Sequence, residues 1–114
     1  MREEDYTEIK RAVEEAGLFT TLHPNGEGGV WLVVVSCCTE GRLHGNSFRV
    51  SLKVDRWYLV TWLPAFYLVP PNSNLLALCL DCLRASPSPI PEVPAEIACR
   101  YQLLKVSDED YDRA

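Results

Sequence analysis

The sequence lacks an apolar run of membrane-spanning length, and it lacks a recognisable catalytic signature. Its longest apolar stretch, residues 57–69, is interrupted by Pro64 and is shorter than the ~20 residues that a transmembrane helix needs. No G-x-S-x-G elbow, H-E-x-x-H motif or phosphate-binding glycine loop occurs. We therefore expect a protein that does not enter a membrane, is not an enzyme and needs no cofactor.

The number of cysteines is odd, whereas a closed set of disulfides needs an even number. The chain has five cysteines, and in reducing compartments such cysteines usually serve as small apolar side chains. The first five residues are acidic and polar, unlike the apolar segment of a secretory signal. We therefore expect a cytoplasmic protein.

Positive charge is also scarce, because the formal net charge is −5. Residues 1–17 contain six acids and three bases, and residues 107–114 contain four acids and one base. Nucleic-acid binding requires clustered lysine and arginine side chains that neutralise phosphates. The charge therefore argues against a nucleic acid as the ligand. It equally allows a basic protein partner, and solubility is the simpler explanation for the acidic ends.

The length of 114 residues suits a single domain. A helix is predicted over residues 5–16, because Asp5 and Glu8 match a capping box and Gly17 is placed to end the helix. Residues 18–22 form either a short strand or a return of the chain into the core.

The central part of the chain has the pattern of an antiparallel sheet. Residues 47–54 alternate strictly between polar and apolar side chains, and the apolar residues 57–63 follow after a short break. This arrangement predicts a tight hairpin. Residues 30–37 form a continuous β-branched run that predicts a buried strand, and residues 66–69 extend the sheet. Residues 39–46, with two glycines, are predicted to form a loop.

The last part of the chain is predicted to be helical around a proline-rich connector. Apolar residues recur at helical spacing over residues 73–85, and residues 86–94 contain four prolines. Residues 95–101 form a short helix, and Ser107 caps a final turn in the acidic tail 107–114, which we expect to fray. The prediction is an α+β two-layer sandwich: an N-terminal helix, a three- to four-stranded antiparallel sheet, a second helix and a short helical appendix.

One short motif, Cys79-Leu80-Asp81-Cys82, has the spacing of a zinc-binding or thiol-redox pair. Cys37 or Cys38 would complete such a site if the strand packs against the helix. However, the pair lies within an apolar helical run rather than a polar knuckle turn. Packing of both thiols in the core is therefore the preferred interpretation, and a zinc or redox protein is the alternative.

A second candidate site is the segment around His44, which precedes Gly45 in the predicted loop. A glycine allows a backbone to approach a ligand closely, and a histidine beside a thiol or carboxylate can act as a base. The other histidine, His23, also lies near turn residues. A surface position is the simpler interpretation for both side chains.

The preferred functional surface is the aromatic hairpin. Tryptophan and tyrosine are common anchors of protein interfaces, and basic residues on the polar side of the hairpin would form the rim. The alternative is that the C-terminal segment folds over this face through Ile90, Ile97 and Leu103. We predict a non-catalytic interaction or accessory domain whose partner is a protein, with a homodimer as one candidate. The predicted contact residues are Trp57, Tyr58, Trp62, Phe66, Arg49 and Lys53.

Overall fold

A computed structural model describes residues 7–24, 30–39, 42–53, 56–86 and 88–113. The helices are α1 (Thr7–Glu15), α2 (Leu75–Arg84), α3 (Ala95–Arg100) and α4 (Asp108–Arg113). The strands are β1 (Phe19–Pro24), β2 (Val30–Thr39), β3 (Arg42–Lys53), β4 (Arg56–Val60), β5 (Phe66–Val69) and β6 (Leu104–Val106). The predicted α+β class is confirmed.

The strands form one antiparallel sheet in which each strand pairs with the next along the chain, in the order β1 to β6. Strands β2 to β5 correspond to the predicted sheet. Two short strands extend it: β1, which the sequence left open, and β6, which the sequence analysis did not predict. A three-residue strand carries too few residues to show an alternating pattern.

The predicted loop over residues 39–46 is wrong, because β2 continues to Thr39 and β3 begins at Arg42. The second glycine of this segment, Gly45, marks a β-bulge instead. The register shifts between the pair Val35–Ser47 and the pair Cys37–His44, and Gly45 has φ +89°. A glycine in the left-handed region is the usual first residue of such a bulge, which redirects the side chains that follow it.

One face of the sheet, called here the helix face, carries the hydrophobic core. In β3 to β5 it presents alternate residues, which lie opposite one another across the strands. Helices α1, α2 and α3 and the proline-rich connector supply the other side of this core. The buried members are Val13, Phe48, Val50, Leu59, Ala65, Tyr67, Val69, Leu75, Leu78, Cys79, Cys82, Leu83, Ile90, Val93 and Ile97.

Helix α1 ends as the sequence predicts. Gly17 has φ +88°, and its N–H donates to the Glu14 carbonyl while the Leu18 N–H donates to the Val13 carbonyl. This is a Schellman arrangement, in which glycine adopts a left-handed conformation at little cost. The predicted capping residue Asp5 lies outside the described residues.

Helix α2 is held at both ends by asparagine side chains. At its start, Asn74 Oδ1 accepts a hydrogen bond from the Ala77 N–H at 3.0 Å. At its end, the amide nitrogen of Asn46, which is fully buried in β3, donates to the Cys82 carbonyl at 2.6 Å. Asn46 follows the bulge glycine directly. The bulge therefore places a polar side chain beside a carbonyl at the helix end, where it donates a second hydrogen bond besides that of the Ala85 N–H.

We predict that replacing Asn46 with alanine lowers the free energy of unfolding by about 0.5–1.5 kcal/mol, because the buried hydrogen bond to the Cys82 carbonyl is lost while the Ala85 N–H still donates to that carbonyl. Urea denaturation monitored by circular dichroism measures the change. Asn72→Ala is the matched control, since Asn72 is exposed and its loss is expected to cost less than about 0.5 kcal/mol. Equal effects for the two variants would contradict this role of Asn46.

Candidate functional site

The second face of the sheet, opposite the helix face, combines a polar stripe on β3 with aromatic side chains on β4 and β5. Tyr58 lies opposite Ser51 in the register of β3 and β4. Phe66 lies opposite Val60 in the register of β4 and β5. Because directly paired residues point to the same side, both rings share the face of the polar stripe. The stripe consists of Ser47, Arg49, Ser51 and Lys53.

The C-terminal helix α4 packs on this second face through Tyr111, which is only 4% exposed. Its ring stacks on Phe66 with centroids 4.6 Å apart and meets the edge of Tyr58 at 5.1 Å. Its hydroxyl donates to Ser51 Oγ at 3.0 Å. The turn that the sequence predicted to fray is therefore docked in the described structure.

Lys53 completes the attachment of α4. Its ammonium nitrogen lies 3.9 Å from the centroid of the Tyr111 ring and donates to the Tyr111 carbonyl at 2.9 Å. The ammonium group gains a cation–π interaction with the aromatic ring. It is also favoured near the C-terminal end of a helix, where the carbonyl groups carry partial negative charge. The predicted rim residue thus has an intramolecular role.

Trp62 occupies the other end of the same polar stripe. Its indole N–H donates to the Ser47 carbonyl at 2.8 Å and to Ser47 Oγ at 2.9 Å. The Arg49 guanidinium lies 5.5 Å from the indole centroid and donates to the Thr61 carbonyl at 3.3 Å. The ring is therefore held in one orientation, although 51% of the residue remains exposed.

The turn between β4 and β5 presents Trp62 together with Leu63, which is 59% exposed, and Pro64. These three residues are called the tip. The proline-rich connector fixes the tip from one side, because the Trp62 N–H donates to the Ile90 carbonyl and the Leu63 N–H to the Pro91 carbonyl, each at 3.3 Å. The tip is thus an apolar projection on a fixed backbone.

Arg49 is partly buried and has both Trp62 and Tyr111 as neighbours. Burial lowers the pKa of its guanidinium from the ordinary value, and the neighbouring Tyr111 opposes this change. An arginine nonetheless stays protonated in proteins. A positive charge therefore lies beside the exposed indole of Trp62.

The predicted surface is only partly assembled and only partly exposed. Tyr58 is buried, and Tyr111 stacks on Phe66, so these two rings lie under α4. Trp57 pairs with Leu52 and Val69 and packs against the core on the helix face. Trp62 is the one predicted anchor that is largely exposed.

The alternative prediction was that the C-terminal segment covers the aromatic face. The C-terminal segment does cover part of this face, but not through the residues that were predicted. Ile90 and Ile97 belong to the core of the helix face, with Leu103 packed against it. The residue that reaches the second face is Tyr111, which the sequence analysis did not select. A signal was present, since Tyr111 is the only aromatic residue in an otherwise charged helix. Leu63 was also missed, although it precedes a proline in a turn.

The cysteine pair of α2 lies in the core. Cys79 and Cys82 are free and buried, and burial raises the pKa of both thiols, that of Cys82 to about 12. The second thiol of the pair adds to the shift of Cys79, and the nearby Asp81 adds to that of Cys82. Metal binding and thiol exchange both need the thiolate, which this environment disfavours.

Among the residues that the structure describes, no three or more His, Cys, Asp or Glu side chains are grouped to hold a metal ion. The side chains of Cys37, Cys38, His23 and His44 lie outside the described set. The backbone places His44 in β3 opposite Cys37, so the predicted glycine loop around His44 is wrong. Within the same described residues, no helix has the length and apolar character needed to span a membrane.

Comparisons with known proteins found no matching family model, no matching curated protein and no matching solved structure.

We predict that Tyr111→Ala lowers the free energy of unfolding by about 3 kcal/mol or more, because the ring loses its stacking and burial. Tyr111→Phe, which loses only the hydrogen bond to Ser51, is expected to cost about 0.5–1.5 kcal/mol. Chemical denaturation measures both values. Asp112→Ala, an exposed change on the same helix, is the control, and a Tyr111→Ala variant no weaker than this control would contradict the docking of α4.

We predict that the buried thiols make the protein less stable at high pH. An unfolded thiol titrates near pH 8.5, whereas folding raises the pKa of Cys82 to about 12. Stability from this group is thus complete below pH 8.5 and declines as the pH rises toward 12. The slope reaches about 1.4 kcal/mol per pH unit for each thiol.

Urea denaturation between pH 9 and pH 10.5 measures this slope. Cys82→Ala is expected to reduce the slope relative to the wild type. Cys99→Ser should leave it unchanged, because Cys99 is exposed. An unchanged slope in Cys82→Ala would show that this thiol ionises as readily in the folded protein as in the unfolded chain.

Proposed function

We propose that this chain is a non-catalytic interaction or accessory domain that binds a different protein by inserting its tip into an apolar pocket of the partner. The observation that carries the proposal is the Trp62 indole, which is half exposed yet held by hydrogen bonds to Ser47. A rigid, exposed tryptophan loses little conformational entropy on binding and is the commonest type of interface hot spot.

The residues beside Trp62 support a binding role rather than incidental exposure. Leu63 is 59% exposed, and the connector fixes its backbone through the hydrogen bond to the Pro91 carbonyl. The exposed apolar surface of Trp62 and Leu63 has an unfavourable free energy of hydration in the free protein. Burial of this surface in a partner would remove that unfavourable term without reorganising the turn.

The shape and charge of the surface favour a different protein over a second copy. The tip is a small projection, whereas a stable symmetric dimer buries about 1,200–2,000 Å² in total. Two copies would also each carry a net charge of −5, which opposes self-association. A concave partner fits a projecting tip better than an identical projection does.

The charge beside the tip narrows the chemistry of the partner. The Arg49 guanidinium lies next to the exposed indole, so a carboxylate at the rim of the partner's pocket would form a favourable contact. An apolar pocket with an acidic rim is therefore the expected complement. This arrangement requires no group from Tyr58 or Phe66, which α4 already covers.

We predict that Trp62→Ala and Leu63→Ser each abolish partner binding while the fold remains intact. Loss of a tryptophan hot spot costs 2 kcal/mol or more, which corresponds to roughly thirty-fold in affinity. Quantitative affinity purification with the tagged wild type and with each variant, from the cells that make the protein, measures the change. At least one protein should be retained by the wild type and lost with both variants.

Leu104→Ser is the matched control, because Leu104 is as exposed as Leu63 but lies away from the tip, in β6. The control should retain the partner. A partner set that is identical in wild type, tip variants and control would contradict the proposal. Light scattering adds the oligomeric state: a mass of twice 12.9 kDa that falls in Trp62→Ala would make the partner a second copy.

A further inference from the structure

A groove separate from the tip lies where β4 begins and β5 ends. Its volume is about 530 Å³, within the roughly 300–1,000 Å³ of small-molecule sites. Trp57 and Leu75 supply the wall toward the helix face, whereas Leu68 and Leu104 supply the wall toward the second face. Pro70 connects the two walls.

The walls of this groove are preformed. Trp57 is paired with Val69 across β4 and β5, and Leu68 is paired with Leu104 across β5 and β6. Leu75 is buried at the start of α2. Leu104 leaves apolar surface open, since it is 59% exposed. An apolar ligand would cover this surface without rearranging the strands.

The charge in the groove has one sign. Among the described residues that line it, Arg56 is the only charged side chain, and within the described part of the chain no carboxylate forms an ion pair with it. Its cross-strand neighbour is Lys53, a second cation. The formal charge among the described lining residues is therefore positive, although the protein as a whole is acidic.

We propose that this groove binds a small carboxylate with an apolar body. The carboxylate pairs with the Arg56 guanidinium, whose geometry suits two parallel hydrogen bonds. The apolar body lies along Trp57, Pro70 and Leu104. This site is independent of the tip, and it gives Trp57 a role different from the one predicted from the sequence.

The test uses decanoate as the probe and n-decyltrimethylammonium as the counterpart of opposite charge, both below 5 mM. Two-dimensional NMR of the intact chain follows the amides of Arg56, Trp57, Leu68 and Leu104. Decanoate is expected to shift these amides with a Kd of about 1 mM or tighter. The cation should not shift them, although a −5 protein would attract it nonspecifically.

Two variants assign the binding to the groove. Arg56→Gln should weaken decanoate binding at least five-fold, whereas Lys10→Gln, which removes a cation from α1, should leave it unchanged. Leu104→Ser should also weaken it, and Leu63→Ser should not. Equal binding of the two probes, no binding of decanoate, or no effect of Arg56→Gln would each overturn the proposal.

The same variants separate this proposal from the proposed protein interaction. Leu63→Ser is expected to lose the protein partner and keep decanoate, whereas Leu104→Ser is expected to keep the partner and lose decanoate.

Discussion

The second face of the sheet depends on the polar stripe of β3, because alternate residues of that strand bind the side chains of Trp62 and Tyr111. Each of these two binding positions is called a seat. Ser47 accepts the Trp62 indole N–H, and Ser51 accepts the Tyr111 hydroxyl. Arg49 lies near the first ring and Lys53 over the second. A small hydroxyl residue leaves room for a ring and supplies its hydrogen-bond partner, and the next basic residue contributes a cation–π contact.

This arrangement decides which aromatic surface is available to a partner. The seat at Ser51 brings α4 over Tyr58 and Phe66, so those rings complete a small second core. The seat at Ser47 holds Trp62 without covering it. The two seats on this strand therefore have opposite consequences. At Ser51 the sheet face is covered by α4, whereas at Ser47 the Trp62 ring stays exposed to a partner. The candidate interface is correspondingly smaller than the hairpin predicted from sequence.

Local periodicity explains which parts of the fold could be predicted. Helix α2 and the β3–β4 hairpin have repeating apolar positions. The sequence predicts α2 close to its observed bounds and the pairing of β3 with β4, although β3 begins at Arg42 rather than at residue 47 and β4 ends at Val60 rather than at residue 63. Gly45 was taken as a loop signal, yet it belongs to a bulge within a continuous strand. A glycine alone does not distinguish these cases, since both require the same backbone freedom.

The second face could not be derived in this way, because its contacts join distant parts of the chain. Ser51 and Tyr111 are 60 residues apart, and no local pattern indicates that they meet. The sequence did identify Arg49 and Lys53 as cations beside aromatic rings. It could not show that Lys53 contacts the buried ring of Tyr111, whereas Arg49 lies beside the exposed ring of Trp62.

A nuclear Overhauser spectrum of the intact chain probes whether Tyr111 packs against β3 and covers Tyr58 and Phe66. With α4 docked, we expect cross-peaks between the rings of Tyr111 and Phe66, whose centroids are 4.6 Å apart, and Lys53 methylene resonances moved upfield by the Tyr111 ring. Absence of those cross-peaks, with Lys53 resonances at random-coil positions, would show that α4 does not pack on the sheet.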